Sequence, residues 1–229
     1  MSPPSPTIST YVVSEREHEP EIRSPPVIIA NPGPLGLCAF ALTTLILSFM
    51  NAGISVNPAG PNQLIISVGL AYGGLVQVLA GMWAFRTGNT FEATAFSSYG
   101  GFWISFAVIL IPGFGVVDAY TSADAIHDLE NALGIYLMSW AFFTFLMLIA
   151  AHRTNVALVS MFASLTITFT FLSAAKFSDH IGLQKAGGSF GVLTALLAWY
   201  NALAGMLTPE TSLFQLPVGP LNRVKSVKT

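Results

Sequence analysis

Residues 31–54 have the sequence NPGPLGLCAFALTTLILSFMNAGI, and this apolar stretch decides the fold because it is long enough to cross a lipid bilayer. It belongs to a longer segment, from Ser24 to Phe85, that contains no Asp, Glu, Lys or Arg. A soluble domain has no reason to exclude charge over such a length, whereas a charge at the centre of a bilayer costs about 2.5–3.5 kcal/mol. The segment therefore predicts a membrane protein.

The composition of the whole chain indicates the same class. Of its 229 residues, 53% are hydrophobic and only 9% are charged, against about 25% charged residues in soluble domains. The formal net charge of −2 gives nucleic-acid binding no electrostatic support. The single cysteine, Cys38, excludes an internal disulfide, and we interpret it as a small apolar residue of the first helix.

Three regions follow from the distribution of apolar and polar residues. Residues 1–30 are rich in Ser, Pro and Glu, which predicts a disordered cytoplasmic tail without a cleavable secretory signal. Residues 31–210 predict an all-α domain of six transmembrane helices, and residues 211–229 predict a basic cytoplasmic tail. The six helices are expected near residues 35–53, 63–85, 92–111, 124–151, 155–177 and 184–207.

The positive charges lie mostly on one side of this predicted topology. Lys176 and Lys185 fall on one side, and the other Lys and Arg residues share the opposite side with both termini. That second group consists of Arg16, Arg23, Arg86, Arg153, Arg223, Lys225 and Lys228. Cytoplasmic loops of membrane proteins carry the excess of Lys and Arg. The pattern therefore predicts that both termini are cytoplasmic.

Few polar side chains interrupt the predicted spans, and these are the candidates for contact with a solute. Gln77 lies in a row with Gly69, Gly73 and Gly81, and such a row of small residues predicts a close helix packing seam. A carboxamide inside a membrane needs a partner or water, so Gln77 indicates either a pore or a helix-to-helix hydrogen bond. The hydroxyls of helix 1 leave a similar alternative, because Ser and Thr often bond the backbone of their own helix.

The sequence contains no group of residues typical of a catalytic site. The four histidines, His18, His127, His152 and His180, lack the spacing of zinc ligands. No glycine-rich nucleotide loop is followed by Lys-Ser or Lys-Thr, and long parts of the spans carry no formal charge. We therefore expect no enzymatic activity, no cofactor and no metal, and instead a pathway for a small, weakly hydrated solute.

Three motifs resemble a known family: residues 31–37 (NPGPLGL), residues 72–81 (YGGLVQVLAG) and residues 88–103 (GNTFEATAFSSYGGFW). They are similar to the signatures of the acetate uptake transporters, which include bacterial succinate–acetate permeases and fungal acetate and ammonium permeases. The resemblance covers about residues 31–210. It implies six helices and one pore per protomer, a homo-hexamer, and an apolar constriction of Phe40, Tyr99 and Leu165. The Tyr hydroxyl of such a constriction is suited to hold a carboxylate oxygen.

The resemblance implies transport of acetate and other short monocarboxylates, with succinate as a further candidate, across the plasma membrane. Proton symport and an anion channel are both open as mechanisms. The expected substrate-binding residues are polar groups in the spans and at their ends: Asn31, Thr43, Thr44, Asn51, Gln77, Glu92, Thr94 and Ser98. Two other functions stay open, which are export of ammonia or ammonium and a non-transporting membrane sensor of acetate.

The chain departs from the family pattern at two positions. Ala84 follows Gly-Met-Trp, where the family often has Glu, and Glu92 follows Asn-Thr-Phe, where the family often has Gly. A carboxylate has therefore either moved or been lost. For this reason, a proton-coupling role of the missing Glu does not transfer directly to this chain.

Overall fold

The computed structural model of the chain describes residues 29–120 and 123–221. Residues 1–28 and 222–229 of the two predicted tails lie outside the described residues, and they include Arg16, Arg23, Arg223, Lys225 and Lys228. The cytoplasmic placement of the termini stays a prediction. The described part contains six long helices: α1 (Gly33–Ala52), α2 (Leu64–Arg86), α3 (Thr90–Leu110), α4 (Ala123–Ala151), α5 (Val156–Ser178) and α6 (Ile181–Met206). All six are long and apolar enough to cross a membrane, which confirms the predicted all-α fold.

Polar residues explain where three of the helices begin. The side chains of Asn89 and Asn155 each accept a hydrogen bond from the backbone N–H three residues further on, at 3.1 and 2.8 Å, and so cap α3 and α5. His180 caps α6 in the same way, because its Nδ1 accepts from the Leu183 N–H at 3.3 Å. Helix α6 therefore begins at Ile181, before the predicted start at Gln184, because a pattern of apolar residues does not reveal a histidine cap.

Helix α2 is not a uniform α-helix. Its middle, Ala71–Val76, has π-helical hydrogen bonding, and Gln77 follows directly. Thr43 of α1 lies against this segment, where a Cβ on Gly73 would approach the Thr43 hydroxyl to 2.6 Å. Short π-helical segments inside α-helices occur frequently at functional sites, and nothing in the sequence pattern indicated this one.

Helix α6 packs between α1 and α5, and it approaches α1 closely through two glycines. A Cβ on Gly188 would collide with the backbone of Asn51 and Ala52, and one on Gly191 would collide with the side chain of Ser48. Lipid gives apolar helices no hydrophobic reason to associate, so close van der Waals contact between small residues holds them together. The glycine row predicted to be a packing seam, in α2, also makes close contacts, since a Cβ on Gly73 would collide with Thr43 and one on Gly81 would collide with Ser97.

Aromatic and hydroxyl side chains join α4 to α3. The Tyr99 hydroxyl donates to Thr144 Oγ1 at 3.0 Å, and the Tyr136 hydroxyl donates to the Phe102 carbonyl at 3.2 Å. The rings of Phe102 and Tyr136 are stacked with their centroids 5.9 Å apart. Phe102, Tyr99 and Leu137 belong to one buried cluster, which also includes apolar residues of α1, α5 and α6. This cluster contains residues of all six helices and so connects them in one apolar core.

Candidate functional site

Two cavities open into the bundle from opposite ends and meet at one side chain. The smaller cavity, of about 140 Å³, is lined by the starts of α1, α3 and α5 and by the end of α6. The larger cavity, of about 420 Å³, is lined by the opposite ends of these helices and by the start of α4. Phe40 of α1 lines both cavities. A path through the bundle therefore passes Phe40.

The three residues expected to form a constriction lie together between the cavities. Phe40, Tyr99 and Leu165 come from α1, α3 and α5, and their exposed fractions are 4%, 3% and 2%. The rings of Phe40 and Tyr99 are tilted against each other with centroids 5.6 Å apart. Tyr99 lines the smaller cavity and Leu165 lines the larger one. The arrangement can close the path to water by packing apolar side chains against each other.

The hydroxyl of Tyr99 is engaged within the protein. It donates to Thr144 Oγ1 at 3.0 Å, and Thr144 in turn donates to the Trp140 carbonyl at 2.7 Å. A phenol has one proton to donate, so in this arrangement Tyr99 has none left for a solute carboxylate. The aromatic ring, rather than the hydroxyl, is the part of Tyr99 that contributes to the constriction.

Most polar side chains of the smaller cavity are carboxamides, set among apolar residues. Asn31, Gln77 and Glu92 line it as expected, and Asn155 and Asn201 join them. Gln77 is only 1% exposed, and its Oε1 has no hydrogen-bond partner in the described part of the chain. Among the described residues that line this cavity, Glu92 has the single carboxylate and none is Lys or Arg. The cavity therefore presents hydrogen-bonding amides to a small polar solute beside one acidic group.

Asn155 and Asn201 were not among the expected substrate-binding residues, although one of them carries a recognisable signal in the sequence. Asn201 is a carboxamide inside the predicted sixth span, so the argument that selected Gln77 applies to it equally. Asn155 was interpreted only as the start of helix 5. Its position beside Asn201 follows from the packing of α5 on α6, which a local pattern does not contain.

Hydroxyls, amides and an ion pair line the larger cavity. Thr44 and Asn51, both expected, are among its lining residues. The buried Thr44 Oγ1 has no hydrogen-bond partner in the described part of the chain, so it does not bond its own helix backbone. Lys176 Nζ lies 2.7 Å from Glu130 Oε2, and both side chains are about one third exposed. This cavity therefore combines both signs of charge with hydroxyl and amide groups.

Three expected substrate-binding residues do not line either cavity. Thr43 is fully buried, and its hydroxyl donates to the Ala39 carbonyl at 3.0 Å. Thr94 is exposed on the outside of α3 and donates to the Thr90 carbonyl at 2.8 Å. Ser98 is half-buried and absent from the lining of both cavities. For Thr43 and Thr94 the structure favours the backbone-bonding alternative, because a hydroxyl on a helix reaches the carbonyl four residues earlier.

The two positions that depart from the family pattern differ in their surroundings. Ala84 is completely buried near the end of α2 and lines neither cavity. Glu92 lies in the first turn of α3 and lines the smaller cavity, where its Oε1 would lie 3.1 Å from a Cβ on Gly33. The chain therefore has a carboxylate on the path itself, at the cavity mouth.

Comparison of the sequence with known protein families gives a match over residues 15–223. The matching family is described as GPR1/FUN34/yaaH, and the match covers most of the chain. This chain belongs to the GPR1/FUN34/yaaH family. Together with the relatives described next, this match confirms the resemblance to acetate uptake transporters that the motifs indicated.

Two fungal relatives show how far the similarity extends. Ammonia transport outward protein 2 of Saccharomyces cerevisiae is 46% identical over 186 residues, which are 80% of this chain and 64% of the yeast protein. Acetate permease A of Emericella nidulans is 45% identical over 213 residues, which are 87% of this chain and 71% of that protein. The chain thus spans less than two thirds of the length of the yeast relative.

A solved structure of a bacterial protein has the same fold. It is described as the structure of the bacterial acetate channel SatP, and it superposes with a TM-score of 0.73 at 32% sequence identity. The superposition covers 84% of this chain and 100% of the bacterial chain. The six-helix architecture of this chain is therefore that of a known membrane channel.

Proposed function

We propose that this chain is a plasma-membrane transporter of acetate and other short monocarboxylates, with succinate as a further substrate, and that it is not an enzyme. The observation that carries the proposal is the pair of cavities that meet at Phe40 inside a six-helix membrane bundle. The names of two similar proteins support it, since one is an acetate permease and the other is an acetate channel.

The proposed path uses a different chemistry at each stage. In the smaller cavity, carboxamide N–H groups such as that of Gln77 are available to donate to a carboxylate. Phe40, Tyr99 and Leu165 then admit only a solute that is small enough to pass between three buried apolar side chains. Beyond them the unpartnered Thr44 hydroxyl is available as the next donor. The three side chains of the proposed constriction carry no positive charge. No ion pair therefore holds the carboxylate of the solute at this point.

Glu92 gives the pathway a means of coupling to protons. Uptake of an anion into a negative cell is opposed by about 2.3 kcal/mol per 100 mV, and a co-transported proton cancels this cost. Because Glu92 lines the smaller cavity, a proton on its carboxylate also removes the repulsion of a passing anion. Proton symport through Glu92 would accumulate acetate against its own concentration gradient. Passive flow of the anion would only equilibrate it.

The proposal includes a homo-hexamer in the lipid bilayer, with one pore per protomer and both termini in the cytoplasm. Large apolar side chains are exposed on α2, among them Leu75, Leu79 and Trp83. Such a face suits lipid or a second copy of the chain. Both cavities and the constriction belong to a single chain, so each protomer would transport independently.

Uptake of labelled acetate into liposomes that contain only this protein tests the proposal. Accumulation driven by an inward proton gradient is expected for a symporter, and equilibration without accumulation is expected for a channel. Liposomes without protein are the control. Flux no faster than in that control, for acetate and for other short monocarboxylates, would overturn the proposed function.

Ammonium is a second candidate solute, and one observation favours it. A carboxylate with carboxamides around it, and no Lys or Arg among the described lining residues, suits a small cation in the smaller cavity. The name of the yeast relative, an ammonia transport outward protein, points in the same direction. The same liposomes, loaded with ammonium and with a pH indicator, distinguish the two solutes. Ammonium efflux without acetate flux would favour the second candidate.

A further inference from the structure

The last described residues of the chain do not extend away from the bundle, but turn back onto the start of α5. Residues 217–221, called the clasp below, form one isolated β-bridge with the residues before and at the start of α5. The N–H of Val156 donates to the Gly219 carbonyl at 2.8 Å, and the N–H of Ala157 donates to the Val218 carbonyl at 3.1 Å. The first N–H groups of a helix lack partners inside the helix, so the clasp supplies acceptors that α5 needs.

Two further hydrogen bonds hold the clasp at both of its ends. The Leu221 N–H donates to the Thr154 carbonyl at 3.0 Å. The Tyr200 hydroxyl, on α6, donates to the Pro217 carbonyl at 2.7 Å. The clasp therefore ties the start of α5 to the end of α6, and both of these helix ends line the smaller cavity.

Gly219 allows the clasp to bend where it meets α5. Its φ is +68°, a conformation that other residues adopt only with strain. A Cβ at this position would also approach Val156 Cγ2 to 3.0 Å. The positive φ therefore requires a glycine or a strained residue here, and the close approach to α5 adds a further reason for a small one.

Asn155 lies between the clasp and the smaller cavity. Its backbone is extended, with φ −148° and ψ 161°, and it is the residue that bridges to Pro220. Its Oδ1 is committed to the Leu158 N–H. An Asn side chain whose oxygen is committed in this way still has two N–H donors at Nδ2, and this half-buried side chain lines the cavity.

We propose that Asn155 is a substrate-binding residue and that the clasp and Tyr200 position it. The Nδ2 group donates to the carboxylate of the solute at the mouth of the smaller cavity, and the clasp holds the start of α5 in the one orientation that presents this group. The inference rests on the proposed transport of small carboxylates. It adds a specific donor to that pathway and gives the segment after α6 a role in the affinity of the site.

Asn155→Ser separates substrate binding from helix capping. Serine also caps helices, so α5 keeps its first hydrogen bond, but the amide donor is lost. We expect the acetate concentration for half-maximal flux to rise about tenfold, which is typical when a hydrogen bond to a charged group is removed. Maximal flux per folded protein should stay near the wild-type value. An unchanged half-saturating concentration would overturn the assignment of Asn155.

Two truncations test the clasp, and one is the matched control of the other. A chain that ends after Gln215 lacks the clasp, whereas a chain that ends after Leu221 keeps it. We expect the first to raise the half-saturating concentration about tenfold and the second to leave it unchanged. In the Asn155→Ser background the first truncation should have no further effect, because both changes act through one group. A full additional effect in that background would show that the clasp does not act through Asn155.

Tyr200→Phe keeps the test valid if the truncated chain does not fold. This variant removes one hydrogen bond and leaves the chain length unchanged. We expect a smaller rise in the half-saturating concentration, about threefold, that again disappears in the Asn155→Ser background. A wild-type value for Tyr200→Phe in folded protein would remove Tyr200 and the clasp from the positioning of Asn155.

A measurement that needs no flux distinguishes failure of this inference from failure of the proposed function. The side-chain amide resonance of Asn155, selectively labelled in lipid nanodiscs, is titrated with sodium acetate, and sodium chloride is the control. We expect an acetate-specific shift in the wild type and in the chain that ends after Leu221. The chain that ends after Gln215 should show none. Absence of the shift in the wild type would overturn the inference even if acetate is transported, and its presence would support it even if no flux is measured.

Discussion

The two cavities on either side of Phe40 differ in size and in charge. The smaller one, about 140 Å³, is lined by carboxamides and Glu92, and none of its described lining residues is Lys or Arg. The larger one, about 420 Å³, is lined by hydroxyls, by the ion pair of Lys176 and Glu130, and by Asp179. A solute therefore meets a wide vestibule with charges of both signs on one side, and on the other a narrow site whose polar side chains are mostly carboxamides. The difference indicates that selection takes place in the smaller cavity and at the constriction.

Phe40 separates the two cavities, and of the variants considered, Phe40→Asp should have the largest effect on acetate flux. A carboxylate at this buried position repels an anion and carries a charge into the middle of the membrane, which costs about 2.5–3.5 kcal/mol. We expect acetate flux to fall by about 100-fold or more, because each 1.4 kcal/mol corresponds to a factor of ten. The measurement is liposome flux, with elution volume on gel filtration as the check of folding. Phe40→Leu, which keeps an apolar side chain, is the matched control. Near-wild-type flux in well-folded Phe40→Asp protein would remove Phe40 from the pathway.

Leu165→Ala should widen the constriction from the side of the larger cavity. The loss of a buried Leu side chain leaves space for about one extra group on the solute. In an apolar pocket, one such group changes the preference between two substrates by about 10- to 200-fold. We expect the ratio of lactate to acetate flux to rise by about tenfold, measured by competition between the labelled acids. Leu137, a second buried leucine that lines the larger cavity, offers the control Leu137→Ala, which removes the same side-chain volume from a residue outside the predicted constriction. Equal selectivity in the wild type and in Leu165→Ala would place Leu165 outside the constriction.

Glu92→Gln tests the difference in charge between the two cavities. The change removes the single carboxylate among the described residues of the smaller cavity but keeps the shape of the side chain. If Glu92 carries the coupled proton, gradient-driven accumulation of acetate should fall about tenfold, corresponding to about 1.4 kcal/mol, while equilibration continues. Glu130→Gln removes a carboxylate from the larger cavity and should leave accumulation unchanged. Equal losses in both variants would contradict a special role for the smaller cavity.

Tyr99→Phe should have the smallest effect on transport. The Tyr99 hydroxyl donates to Thr144 and not to the path, so we expect acetate flux to change less than about twofold. The free energy of unfolding should fall by about 1 kcal/mol, which is typical for the loss of one buried hydrogen bond. Thermal unfolding and liposome flux are measured on the same preparation. A large loss of flux without loss of stability would mean that the hydroxyl serves the solute instead of Thr144.

The sequence was sufficient to predict the six spans and to identify the three residues that lie between the cavities. Spans are local properties, because each residue adds its own transfer free energy to the segment around it. Phe40, Tyr99 and Leu165 were identified through motifs, and the structure brings them together. The functional role of these residues stays a prediction until the variants above are measured.

Other features depend on residues that are far apart in the chain. The partner that occupies the Tyr99 hydroxyl, Thr144, lies 45 positions later, and the clasp that reaches Asn155 begins after α6. Thr43 and Thr44 are adjacent and chemically identical, yet Thr43 bonds its own helix while Thr44 lines the larger cavity. Consecutive side chains on α1 point in different directions around the helix axis. The positions of the neighbouring helices decide which of these directions faces the cavity.

The sequence by itself determined that the chain crosses a membrane six times, because the cost of placing charge in lipid acts on each segment separately. The tertiary structure alone decided which polar groups face a common cavity and which are already satisfied. Hydrogen bonds and cavities are properties of pairs of helices, and their geometry follows from close packing at positions such as Gly188 and Gly191.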